Sequence, residues 1–216
     1  TFGYNAAIPQ IMRGCGMKYF YTTKLSWNEH NKFPFETFRW VGIDGSEVIT
    51  HFNITHCEPA PHLLMNHVSA LQDKTSDESR LVAFGYGDGG SGCTEEMIEV
   101  MHRFDKLSIM PKTEHISGQE FLEKNLKDNE NLAKWDGELY LEMHRGTFTT
   151  KSKMKRYNRQ LEYKLREAEI VSTLRHLRGA EYPHEEIRDI YKKLLINQFH
   201  DILPGSHITP VYRDAM

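Results

Sequence analysis

The chain has 216 residues, 39% of them hydrophobic and 26% charged, with a formal net charge of −3 and a pI near 6.4. This is an ordinary soluble globular composition with room for one large domain or two small ones, and its slight acidity argues against nucleic acid or an anionic membrane as partner. Cys15, Cys57 and Cys93 form no CxxC pair, which speaks against a disulfide framework or a cysteine-based zinc site and fits a reducing, cytoplasmic compartment; no run is long and apolar enough to cross a bilayer.

Thr1 to Met12 reads as a turn followed by a short helix that Gly14-Cys15-Gly16 ends. Lys18 to Thr23 is a strand by its aromatic and β-branched content, and Lys24 follows as a strand-end lysine. Two strands, Arg39 to Ile43 and Ser46 to Phe52, flank Asp44-Gly45, a short-range hairpin signal. Pro59 and Pro61 open a helical segment that runs into the polar surface loop Gln72 to Ser79. Leu81 to Tyr86 is a short buried strand, and after the glycine-rich loop Thr94 caps a helix whose first turn carries Glu95 and Glu96, as the helix dipole favours. Ser117-Gly118-Gln119-Glu120 is a capping box opening a helix to Lys127. Trp135 to Glu142 reads as a strand, and His144 as a polar histidine at its end. Strands alternating with helices predict an α/β architecture with a parallel core.

The loop between strand and helix holds a literal G-x-G-x-x-G, Gly85, Gly87 and Gly90. A dinucleotide needs that context, but Asp88 inside the loop and Glu95 and Glu96 at the helix start would repel a pyrophosphate. The better reading gives the glycines to backbone freedom, so that Asp88 projects into a cleft at the carboxyl end of a strand.

After Thr150 the pattern becomes helical. Met154, Tyr157, Leu161, Leu165, Ala168, Val171, Leu174 and Leu177 step by three or four up to the Gly179 stop. A second helix is predicted from Pro183 to Leu203 and a third from Pro210, part of an antiparallel bundle. The boundary falls between 1–145, the α/β part, and 146–216, the helical part. On the second helix Asp201 falls inside the apolar stripe of Ile187, Ile190, Tyr191, Leu194, Leu195 and Ile202, with His200 opposite. A carboxylate there needs a metal, a hydroxyl or a cation; alternatively the last turn frays and Asp201 faces water.

Asn197 to Ser206, read Asn-Gln-Phe-His-Asp-Ile-Leu-Pro-Gly-Ser, resembles the His-Asp signature of the bacterial-type α-mannosidases of glycoside hydrolase family 38. The similarity recurs at Thr1 to Ile11, Thr22 to Asn28, Phe33-Pro34, Trp40 to Gly45, Gly85 to Gly90 and Gly137 to Thr147. The resemblance implies a partial seven-stranded α/β barrel-like catalytic domain followed by antiparallel helices of a three-helix bundle. It implies a retaining, metal-dependent enzyme that hydrolyses terminal α-mannosidic bonds in mannose-containing glycans, using two carboxyl groups about 5 Å apart. Carried over residue by residue, Asp88 is the general acid/base, His200 a zinc ligand, Asp201 a contact to mannose, and Lys24 and His144 further substrate-binding residues. Zn2+, or another divalent metal, is the implied cofactor, and a homo-oligomer is open. The nucleophilic Asp and a His-x-Asp ligand pair would precede Thr1, so the piece alone is expected to be inactive. The reading from another class is a non-catalytic sugar- or nucleotide-binding module built on the Gly85 to Gly90 loop.

Overall fold

The computed structural model describes residues 3–71, 79–87, 92–104 and 106–216, with the side chains of His56 and Asn125 left aside. The Gln72 to Ser79 loop expected from sequence therefore lies, but for its last residue, outside the described residues. The chain divides into two compact units, Phe2–Glu142 and Met143–Met216.

The larger unit is mixed α/β. Its elements are α1 (Ile8–Gly14), β1 (Tyr19–Thr22), β2 (Thr37–Val41), β3 (Glu47–Phe52), β4 (Ile54–Cys57), α2 (Pro61–Ser69), β5 (Val82–Phe84), α3 (Glu95–Phe104), α4 (Gly118–Asn125) and β6 (Lys134–Asp136). The hairpin forms where Asp44-Gly45 placed it. The Asp44 carboxylate accepts from the Ser46 amide and hydroxyl, at 2.9 and 2.8 Å, and Gly45 takes φ +82°. Val41 then pairs with Glu47 and Thr37 with His51, antiparallel. β1 adds to β3 and β6 to β2, both parallel, giving the order β1-β3-β2-β6, while β4 and β5 form a second, parallel pair. Three pairings are thus parallel, and β2–β3 is antiparallel as its predicted hairpin requires, because a tight turn can join only antiparallel strands.

β3 is buried on both faces. Val48 and Phe52 join Phe38, Trp40, Leu25 and Leu139 in one cluster, and Ile49 joins Phe121, Leu122, Leu126 and Leu132 in another. The Trp40 indole N–H donates to the Gly137 carbonyl at 2.7 Å. That bond marks where the expected strand over 135–142 stops early. Gly137 turns away at φ +124°, Leu139 makes only an isolated bridge with Tyr4, and Glu142 begins a 3-10 segment, Glu142–Phe148. The Glu142 carboxylate accepts from the backbone N–H groups of His30 at 2.7 Å, of Asn31 at 3.0 Å, and of Glu29. These bonds, His30 foremost, hold its carboxyl down at about 2.

His51 ties the two sheets together. It is fully buried on β3, its Nε2 accepts the Leu81 amide at 3.1 Å, and its Nδ1 lies 2.9 Å from the Thr37 hydroxyl. With Nε2 accepting, Nδ1 carries the proton and donates to Thr37. Burial, and then the charge of Arg80, push its pKa down to about 3.

The smaller unit is helical: α5 (Ser152–His176), α6 (His184–Asn197) and α7 (Thr209–Ala215). Gly179, at φ +92°, ends α5 with paired bonds from Gly179 N to His176 O and from Ala180 N to Arg175 O, the Schellman pattern. Tyr191 of α6 donates to Glu169 of α5 at 2.8 Å, and Gln198 donates to Glu162 at 3.0 Å. Advancing along α6 thus retreats along α5, so the helices run antiparallel. Met154, Leu165, Ile187 and Leu194 are the aliphatic residues they bury. Among the described residues no helix is long and apolar enough to cross a membrane.

The His51 arrangement sets a pH dependence. The folded chain refuses the proton down to about pH 3, whereas the unfolded chain takes it up near the ordinary value of 6.5. Stability should therefore be fully present above pH 6.5 and fall as pH drops from 6.5 toward 3, by up to about 1.4 kcal/mol per pH unit for this one proton. Urea midpoints across that range should show the fall in the wild type and a shallower one in His51→Gln, whose amide can reproduce both hydrogen bonds.

Candidate active site

Asp88, the acid/base candidate, lies outside the described residues, as does Gly90 of the same loop. The frame that carries them is described. Gly85 follows β5, donates to the Cys57 carbonyl at 3.0 Å, and is succeeded by a Tyr86 N–H that donates to Gly92 at 3.1 Å. At φ +125°, a Cβ on Gly85 would sit 3.0 Å from Cys93 N and 3.1 Å from Gly92 C. The glycine is required because the two ends of the loop close on each other.

Lys24 stands just beyond β1, at the start of the 3-10 turn Lys24–Trp27. Its amide donates to the Thr22 hydroxyl at 3.2 Å, and its ammonium lies 4.1 Å from the centre of the Trp27 ring. In a 3-10 turn residues three apart eclipse, which stacks Lys24 on Trp27. The half-exposed indole beside an ammonium was not singled out from sequence; its signal was an aromatic three positions after the lysine. His144 lies in the 3-10 segment Glu142–Phe148, half-buried, its carbonyl accepting the Thr147 hydroxyl. Lys24 belongs to the larger unit, and His144, His200 and Asp201 to the smaller.

At His200 and Asp201 the structure takes the alternative reading, in which the last turn leaves the helix and Asp201 faces water. α6 ends at Asn197, not Leu203. The chain continues in short-period turns, with Phe199 N bonded to Ile196 O, Ile202 N to Phe199 O and Gly205 N to Ile202 O. Pro204 cannot donate, so the α-helical ladder cannot be carried through it. Asp201 therefore does not sit on the apolar stripe: its side chain is 54% exposed, and that of His200 is 47% exposed. The turn instead brings the two side chains to the same side, with His200 Nε2 3.6 Å from Asp201 Oδ2. The Asp201 carbonyl accepts from His207 Nδ1 at 3.2 Å and from the Ser206 hydroxyl at 3.4 Å.

The base of this turn rests on the start of α5, a contact that the sequence did not reveal. Lys155 donates to the carbonyls of Thr150, Leu203 and Pro204 at 2.7, 3.1 and 3.2 Å. Lys151 donates to the His207 carbonyl at 2.6 Å. An imidazole beside a carboxylate suits a zinc donor set, but a catalytic zinc takes three protein ligands. Among the described residues no group of three His, Cys, Asp or Glu side chains is placed to hold a metal. The described residues thus offer an imidazole–carboxylate pair, not a complete zinc site.

The mixed α/β unit is thus followed by antiparallel helices whose second ends in an exposed His-Asp turn. A solved alpha-mannosidase from Enterococcus faecalis V583 shares the fold, with a TM-score of 0.74 at 18% identity, over 100% of this chain and 26% of that one. The description of the glycosyl hydrolases family 38 N-terminal domain matches residues 1–138, and that of the alpha mannosidase middle domain matches residues 142–216. The chain belongs to family 38 of the glycosyl hydrolases. It is 39% identical over 221 residues to Alpha-mannosidase 2C1 of Homo sapiens and 38% identical over 228 residues to an Alpha-mannosidase of Saccharomyces cerevisiae. It spans 21% of the length of each of these relatives, which match 100% and 99% of it.

The seat of the turn is testable at Gly205. Its φ is +86°, and a Cβ there would lie 2.7 Å from Thr150 Cγ2 and 3.1 Å from Thr150 O. Gly205→Ala should destabilise the helical unit by about 2–4 kcal/mol, combining left-handed backbone strain with overpacking. Adding Thr150→Ser removes the clashing methyl and should recover part of the loss, read from urea midpoints.

Proposed function

We propose that this chain is part of a retaining α-mannosidase that hydrolyses terminal α-mannosidic bonds in mannose-containing glycans. The observation that carries the reading is family membership over nearly the whole chain, 1–138 and 142–216. Relatives named alpha-mannosidase and the exposed His200-Asp201 pair support it. Residues 1–145 are assigned to a barrel-like catalytic domain and 146–216 to a helical bundle.

In this reading Asp88 protonates the leaving oxygen as the glycosidic bond breaks and later takes a proton from the attacking water. Asp201 accepts hydrogen bonds from mannose hydroxyls, Lys24 donates to the sugar, and His144 lines the site. His200 supplies one ligand to a zinc ion, whose chemistry when bound is to fix sugar hydroxyls and withdraw charge. The other ligands and the nucleophilic carboxylate are assigned to the rest of the parent, so residues 1–216 alone should not turn over an aryl α-mannoside. The three free cysteines are the support for a cytoplasmic location. The nucleotide-binding alternative gains nothing from Gly85, whose glycine requirement is met by closure of its own loop.

Two variants of the full-length parent test the assignment. Asp88→Ala should slow hydrolysis by roughly 10²–10⁴-fold, with a smaller loss at the glycosylation step for aryl mannosides with very good leaving groups; a uniform loss under about tenfold would place the acid/base elsewhere. His200→Ala should lower zinc content and activity together. Full zinc stoichiometry in that variant would remove His200 from the ligand set.

A further inference from the structure

We infer that Lys155 is a positioning residue for the His200-Asp201 pair. The inference deepens the proposed function and rests on it.

The turn after α6 has an exposed apex and a fixed base. At the apex, His200 and Asp201 keep about half of their side-chain surface open. The base is held by atoms from the first turns of α5. Gln198, where the turn begins, donates to Glu162 at 3.0 Å, and Glu162 is itself held by Asn158 at 2.9 Å and Arg159 at 2.8 Å. Beyond the apex, Gly205 sits so close to Thr150 that no side chain fits between them. Lys155 fills the remaining span.

The Lys155 interaction is complete in a way that few lysines achieve. An ammonium has three N–H donors and no acceptor. Here three carbonyls receive them, Thr150 at 2.7 Å, Leu203 at 3.1 Å and Pro204 at 3.2 Å. Two of those carbonyls belong to the segment of the turn that leaves Asp201, and the third belongs to Thr150, two residues before α5. One charged atom therefore joins the start of α5 to the return of the turn, in half-buried surroundings that burial makes costly for the charge and lower its pKa. Charge-assisted bonds to carbonyls are the stronger kind. Without them, Leu203 and Pro204 would keep only the short-period turn contacts, and the apex would sample positions displaced from the pair's present one. Displacements of about 1 Å can cost a site about a hundredfold in rate. Lys155 is 45 positions or more from the pair in sequence, and its bonds to the Leu203 and Pro204 carbonyls act on the pair through the backbone.

A double-mutant cycle in the full-length parent tests this, with kcat and KM for an aryl α-mannoside measured on wild type, Lys155→Met, Asp201→Asn and the double variant. Lys155→Met should lower kcat by about tenfold to a hundredfold, with KM little changed. In the Asp201→Asn background the same substitution should cost much less, because the group it positions is already impaired. Hydrogen exchange across residues 198–207 should rise in Lys155→Met, while Lys153→Met, an exposed lysine on the same turn of α5, should leave both readouts at wild type. Should Lys155→Met lack the wild-type melting transition, Lys155→Gln takes its place in the cycle. If Asp201→Asn retains wild-type kinetics, the site reading fails. If Asp201→Asn is impaired and Lys155→Met keeps wild-type kcat per folded enzyme, or the two losses multiply, the positioning role is overturned and the site reading stands.

Discussion

The larger unit depends on one neutral imidazole. His51 lies on β3, takes the Leu81 amide from the segment entering β5, and gives its proton to Thr37 on β2. Each bond satisfies a polar group that burial would otherwise leave costly. Together they fix the β4–β5 pair against the four-stranded sheet, and β5 carries the glycine loop on which Asp88 stands in sequence. A charged imidazole could not accept from Leu81, so the tie exists only with His51 deprotonated, which burial enforces. Phe121 of α4 packs edge-on against the ring at 4.9 Å, part of the burial that keeps it neutral.

The smaller unit solves a different problem. Its helices bond the base of the turn after α6 while its end stays open. Lys151 at the N-cap of α5, Lys155 in its first turn and Glu162 further along it do so, all bonded to backbone or amide groups of the segment 198–207. Lys151 itself takes the left-handed conformation, φ 48°, a strained state for a residue with a Cβ. Its compensation is visible in the Lys151 bond to His207 and its placement 5.6 Å over the Tyr212 ring.

What the sequence made legible was local. Asp44-Gly45 announced the hairpin, Ser117 to Glu120 the capping box that forms with both of its reciprocal bonds, and Gly179 the end of α5, because each is decided by a few adjacent residues. The strand after Trp135 was overextended because apolar alternation continues through Leu141, while Gly137 and the capture of Glu142 by the Glu29 to Asn31 backbone are decided by distant partners. The end of α6 departs from its apolar period for a similar reason: the period runs on through Ile202, but the turn is shaped by Pro204, Gly205 and a lysine 48 positions away. His51 looked like one histidine among 12. His200 and Asp201 were legible as a motif, yet the geometry that joins them was not.

That geometry explains why the motif cannot be helical. On an α-helix neighbouring residues point about 100° apart, and side chains at i and i+1 do not face one another. Two consecutive residues that serve one site, one toward a metal and one toward the sugar as proposed, must instead converge. Ending α6 at Asn197 and following it with tight turns achieves this, bringing His200 Nε2 and Asp201 Oδ2 within 3.6 Å. Leaving the helix also removes the regular hydrogen bonds that would have stiffened the segment, so stiffness has to come from outside it. Lys155, Lys151, Glu162 and the bare Gly205 against Thr150 supply that stiffness at the base, where contact does not block the apex. Convergence of the pair and dependence on α5 are thus two consequences of the same departure from helical structure.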